Sequence, residues 1–150
     1  MLQDAIWADS ARLSSDPVYA DTTVKFLKAA IKGWAWTRDN PEAAAKIVTA
    51  SGSTLGASHQ LWMTNEVNKL IWPSTGGVGM IDSKAWKQTV DIAMGTKNET
   101  GATIITKAPP PTAYSNEYVQ KALAALKADG VDVMGAAFKP ITVTLKEGGK

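Results

Sequence analysis

Residues 16–48 read DPVYADTTVKFLKAAIKGWAWTRDNPEAAAKIV, and this stretch decides the fold. The spacing predicts one long helix, a sharp corner and a second helix. Asp16 can cap the first helix, and Pro17 occupies its first turn, where a missing N–H costs least. At about 100° per residue, Val24, Phe26, Leu27, Ala30, Ile31, Trp34 and Ala35 cover a broad apolar sector. Lys25, Lys28 and Lys32 share the narrow face that is left. A surface helix carries a narrower stripe, so this helix is expected to be buried on two sides with one solvated lysine edge. Asn40-Pro41-Glu42 repeats the start signal of cap, proline and early acid, with Ala44, Ile47 and Val48 as the next inner face.

Upstream, residues 2–8 (LQDAIWA) alternate weakly and read as a short strand. The strand begins without a turn or cap, as though continuing something longer. Downstream, Gly52 ends the second helix. ASHQLWMTNEVNKLIW forms a third, with Met63, Val67, Leu70 and Ile71 inward, and Pro73 stops it. Residues 74–79 (STGGVG) read as a flexible turn. Asp82 or Ser83 caps a fourth helix whose inner face is Trp86, Val90, Ala93 and Met94. ATIIT at 102–106 is a short strand or an extended segment, and Pro109-Pro110-Pro111 is polyproline II. Ser115 or Asn116 caps a fifth helix with Val119, Ala122, Leu123 and Leu126 inward, and Asp129-Gly130 ends it. The tail FKPITVTLK alternates cleanly, with Ile141, Val143 and Leu145 against Thr142 and Thr144. Pro140 places that strand at a sheet edge or a strand start. The fold class is therefore α+β and mainly helical, with about five helices and two or three short strands in a single domain over 1–150. The helices carry wide apolar faces, and the sheet they would cover is mostly not in this sequence.

Bulk properties narrow the function. The chain has 150 residues and a formal net charge of +2, with its lysines scattered, so no nucleic-acid partner is expected. It contains no cysteine, which removes disulfides and thiol chemistry. No apolar run approaches the roughly 20 residues that span a bilayer. MLQDAIWADS lacks a basic segment and apolar core, so it is no signal peptide, and a chain made as written would stay in the cytoplasm. Six tryptophans are unusually many. They are expected mainly as core filler, with a flat wall for a ring-shaped ligand as the other use.

Catalytic inventories are missing. The only histidine is His59, beside Ser58 and Gln60 near a helix start, where it reads as solvated or capping. Metal sites need clustered ligands, and nucleophilic catalysis needs a nucleophile with a base. GSTLG at 52–56 has the wrong order for a nucleophile elbow, and no lysine follows the GGVG turn at phosphate-loop spacing. No catalytic residue, metal or cofactor is expected. Among the carboxylates, Asp9 and Glu66 read as solvated, whereas Asp4 sits on an apolar strand with Gln3 and Trp7. That trio offers an acceptor, an amide and an aromatic plate, and Gln3, Asp4 and Trp7 are the candidate ligand-binding residues.

FLKAAIKGWAWTRDNPEAAAKIV resembles the C-terminal half of bacterial ABC-importer substrate-binding proteins, in the thiamine-precursor/nitrate–sulfonate-like branch with the type II periplasmic-binding fold. The family's F-L-(K/R)-A-x-x-(K/R)-G-W helix and D-N-P-(E/D)-(E/A)-A helix correspond to Phe26–Trp34 and Asp39–Ala44. MTNEVNKLIWP, AWKQTVDIAM and ITVTLKEGGK also fit, so the resemblance runs over nearly the whole chain. It implies capture of a small organic solute for an ABC permease, in the periplasm, with LQDAIWADS returning from the second lobe at the ligand cleft. Family members are roughly twice this length, and the other cleft wall lies in the half not represented. A related branch contains pyrimidine synthases, an alternative that relies on a histidine and a cysteine-rich motif absent here. A self-associating fragment without ligand is a third possibility. Because the missing sheet leaves apolar helix surface uncovered, a homo-oligomer through Phe26, Ile31 and Trp34 is expected.

Overall fold

The computed structural model describes residues 4–52 and 54–150. The described residues form six α-helices: α1 (Ser10–Ser15), α2 (Pro17–Asp39), α3 (Pro41–Ser51), α4 (Ala57–Ile71), α5 (Ser83–Gly95) and α6 (Glu117–Ala128). Short 3-10 turns occupy Pro111–Ala113 and Glu147–Gly149. The long helix and its corner form as the sequence predicts. The Asp16 carboxylate accepts the backbone N–H groups of Val18 and Tyr19, both at 3.0 Å, and Pro17 starts α2. Asn40 has a different role from the one expected. Its side-chain amide donates to Trp36 O at 2.9 Å, closing α2, and it does not cap α3.

The core forms where α2 crosses α6. Ile31, Val119, Ala122, Leu123, Leu126 and Val133 are buried together, with Val24, Leu27, Val78, Met80, Val131 and Met134 packed around them. The four α6 positions are those the 3.6-residue period selects. Gly130, at φ +78°, ends α6: the Val131 N–H reaches Leu126 O at 2.9 Å and the Gly130 N–H reaches Lys127 O at 3.0 Å. That pair of bonds is the Schellman arrangement, which favours glycine at the left-handed position. Ile31 faces this core at 3% exposure and so cannot reach a second copy, whereas Phe26 and Trp34 remain exposed.

The glycine turn packs against α6 and the segment that follows it. The Val78 N–H donates to Val133 O at 3.2 Å and the Ser74 N–H to Met134 O at 2.9 Å. A Cβ on Gly77 would lie 2.9 Å from Leu123 Cδ1, so the missing side chain lets the backbone rest on α6.

α3 packs on α4 through a face that periodicity misreads. Ala44 and Ala45 are buried, while Ile47 and Val48 are exposed. On α4 the buried residues are Ser58, Asn65 and Asn68, and Leu70 is 78% exposed. The cause is the C-terminal tail lying along α4. Asn65 Oδ1 accepts the Ile141 N–H at 2.9 Å, and Ser58 Oγ accepts the Lys146 N–H at 3.0 Å. A backbone laid on a helix needs polar partners, so the polar face turns inward.

The two helix pairs are tied at Arg38. Its guanidinium binds both Asp39 oxygens at 2.7 and 2.9 Å and donates to Asp132 O at 2.7 Å. It also lies 4.6 Å from the centre of the buried Trp72 ring. Trp72 is the tryptophan that fills core. Trp7, Trp34 and Trp36 are exposed and Trp62 and Trp86 half-buried, against the expectation of core filler.

The expected strands do not form among the described residues. Residues 4–9 and the tail at 138–146 form no ladder, and the 102–106 segment keeps a single bridge between Lys97 and Thr103. Alternation prepares a segment to be a strand, but a ladder needs a neighbouring backbone, which the helices here do not provide. Pro111 likewise leaves the extended run and opens a 3-10 turn. α5, capped by Asp82 at 2.8 Å, buries no residue fully. Its face is partly covered by the following segment, through the Trp86–Tyr114 ring contact at 4.8 Å and the Ile105 N–H bond to Ala93 O at 3.4 Å.

Candidate functional site

A groove of about 450 Å³ runs between residues 6–8 and the N-terminal half of α2. Its walls are Ile6, Trp7, Ala8, Tyr19, Thr22, Thr23 and Phe26. Local chemistry sets the arrangement. Asp9 caps α1 by accepting the Arg12 N–H at 3.0 Å, and its own N–H donates to the Tyr19 hydroxyl at 3.1 Å. The second bond clamps residues 6–9 against the first turns of α2. Arg12 pairs with Asp16 at 3.1 Å and lies 4.2 Å from the centre of the Tyr19 ring, which fixes that ring. The Tyr19 N–H bond, then Arg12, hold the Asp16 carboxyl below its ordinary value of 3.8.

The groove face of α2 differs from its core face. Tyr19, Thr22, Thr23 and Phe26 stand at i, i+3, i+4 and i+7, a helical stripe beside the core stripe of Val24, Leu27 and Ile31. The threonine hydroxyls donate to Val18 O at 2.8 Å and Tyr19 O at 2.9 Å, which leaves each oxygen free to accept a further bond. Trp7 is 88% exposed, an indole held in solvent over one wall. The groove thus presents aromatic surface with few polar groups, an inventory suited to a flat, mostly apolar solute.

Of the expected trio, Trp7 lines this groove. Asp4 is exposed and is not among the lining residues, and Gln3 lies outside the described residues. Ile6, Trp7 and Ala8 border the groove against α2, and Asp4 lies outside it. Tyr19, Thr22, Thr23 and Phe26 were not identified from sequence. Their signal was the second stripe of α2, visible only in the excess width of its apolar sector.

A second groove of about 340 Å³ lies between α3, the start of α4 and the tail. Lys46, Lys146 and Lys150 border it, with Glu42, Thr49, Ser58 and Thr142 to Thr144. His59 is exposed beside it, its ring 5.9 Å from that of Trp62, and Gly56 takes the N-cap position of α4. No group of three or more His, Cys, Asp or Glu residues able to hold a metal ion occurs among the described residues. None of the described helices is long and apolar enough to cross a membrane. The chain matches no family model, no curated protein and no solved structure.

Proposed function

We propose that this chain is the C-terminal portion of a solute-binding protein that delivers a small, ring-bearing organic solute to an ABC importer. The observation that carries the reading is Trp7, an almost fully exposed indole held over an aromatic groove by the Asp9–Tyr19 bond. Leaving a tryptophan wet forfeits on the order of 2 kcal/mol of burial, a cost that a ligand or a second lobe recovers. The sequence resemblance over the α2–α3 corner supports the same reading, as does its placement of residues 2–10 at a ligand cleft. In this proposal Trp7 and Phe26 sandwich the ring, and the Thr22, Thr23 and Tyr19 oxygens meet its polar edge.

Titration calorimetry with an aminopyrimidine, nitrate and an alkylsulfonate tests it. The aminopyrimidine is expected to bind best. Trp7→Ala is expected to weaken binding about tenfold, the value of one aromatic stack. Binding that survives both Trp7→Ala and Phe26→Ala unchanged, or ligand-induced shifts confined to the α3–α4 groove, overturns the assignment. So does the absence of binding to all three compounds.

A further inference from the structure

We propose that the groove between α3, the start of α4 and the tail binds a small organic phosphate monoester, at a site separate from the Trp7 groove. Lys46 of α3 and Lys146 and Lys150 of the tail line it, against the single carboxylate side chain of Glu42. None of these four side chains forms an ion pair among the described residues. Elsewhere the chain matches lysine to carboxylate: Lys25 to Asp21, Lys28 to Asp129, Lys69 to Glu66, Lys87 to Asp91 and Lys121 to Glu117. Glu42 and Lys46 stand at i and i+4, the spacing that pairs charges on a helix, and still do not pair. The side chains thus leave two positive charges uncompensated in the groove. Cationic groups gathered in a concave site focus their field and raise the local concentration of an anion.

The fold gathers these charges from distant parts of the sequence. Ser58, 8% exposed, lines the groove and accepts the Lys146 N–H at 3.0 Å, which lays the tail across the start of α4. A Cβ on Gly56 would collide with the Gly149 carbonyl, so the missing side chain lets the closing turn rest there and brings Lys150 to the groove. The donors suit an oxyanion. Thr142 and Thr144 add hydroxyls to the three ammonium groups, and a Ser58 oxygen that accepts one bond still holds a proton to donate. Ala45, Leu61 and Val143 supply apolar wall beside them. Charge selects the head group: a phosphate monoester carries about −1.5 to −2 at pH 7, which matches the two free positive charges, whereas a carboxylate or sulfonate leaves one unmet. A volume of about 340 Å³ is at the small end for ligand sites and suits a small solute.

Amide shifts of the intact chain titrated with butyl phosphate test the site. Saturable shifts are expected at Lys46, Ser58, Val143 and Lys146. Lys46→Gln and Lys146→Gln should each weaken binding about tenfold, the value of one charge-assisted hydrogen bond. Glu42→Gln should tighten it, a gain that partial unfolding cannot imitate. Methyl butyl phosphate, a diester with one charge, should bind about tenfold more weakly than the monoester. Trp7→Ala should leave the affinity unchanged, which separates this site from the solute groove. Failure to saturate by roughly 10 mM butyl phosphate overturns the proposal. So do shifts spread equally over lysines outside the groove, such as Lys84 and Lys107, a Glu42→Gln variant that binds no better, or equal affinity for the diester. Phosphatidic-acid vesicles present the same head group on a membrane. Retention of the chain on them that is lost in Lys46→Gln and Lys146→Gln overturns the small-solute assignment.

Discussion

Leu126→Ala and Leu70→Ala separate the packed core from the apparent one. Periodicity places both leucines on inner faces. The fold leaves Leu126 with 0% exposure between α2 and α6, and Leu70 with 78% exposure on α4. Leu126 belongs to the buried cluster of Ile31, Val119, Ala122, Leu123 and Val133, so removing its side chain opens a cavity in that cluster. Leucine-to-alanine changes at such sites cost about 2–5 kcal/mol, more where the walls cannot collapse. Here both walls are regular helices, and the neighbouring Ala122 cannot fill the space, so about 3–4 kcal/mol is expected. For a chain of this length that lowers the melting temperature by roughly 6–16 °C. At Leu70 the loss is expected within about 0.5 kcal/mol. Thermal unfolding followed by circular dichroism reads both variants. Equal destabilisation by the two changes, or a greater loss at Leu70, would refute the inverted packing of α4.

Further perturbations probe the links between elements. Gly135→Ala places a Cβ 2.5 Å from Trp72 Cε3 and 3.0 Å from Arg38 Nη1 at φ +60°. It should destabilise by about 2–3 kcal/mol, against about 1 kcal/mol for Gly130→Ala, whose Cβ meets open space at φ +78°. Denaturant melts rank the two, and a milder effect at Gly135 counts against the Arg38–Trp72 tie. Asn65→Ala removes the partner of the Ile141 N–H, so hydrogen exchange at Ile141 should accelerate at least tenfold while the α6 amides keep their protection. The Gly135 and Met134 N–H bonds hold the Asp132 carboxyl below 3.8, and the ion pair with Lys28 lowers Asp129 in the same direction. A carboxylate depressed in the folded state contributes stability above its unfolded value, and that contribution is lost as pH falls through the lower folded one. Acid titration should therefore destabilise the chain below about pH 4. Asp132→Asn should flatten that loss, and an unchanged acid limb would argue against the assignment.

What the residues determine locally was legible without the structure. Asp16, Pro17, Asp82 and Gly130 set helix ends through bonds to chain neighbours, and those ends lie where the sequence places them. The inner face of α6 was also legible, because a helix with one apolar stripe has one way to bury it. Two stripes on α2 were harder. Val24, Leu27 and Ile31 share the broad sector with Phe26 and Trp34, and only the approach of α6 divides core from groove. Tertiary structure alone decided the α4 face, since the tail backbone needed Asn65 and Ser58 more than a few apolar contacts could offset. It also decided the fate of the alternating segments. Residues 2–8 and 138–146 read as strands by their period, but a strand is a relation between two backbones, and no property of one segment supplies the other.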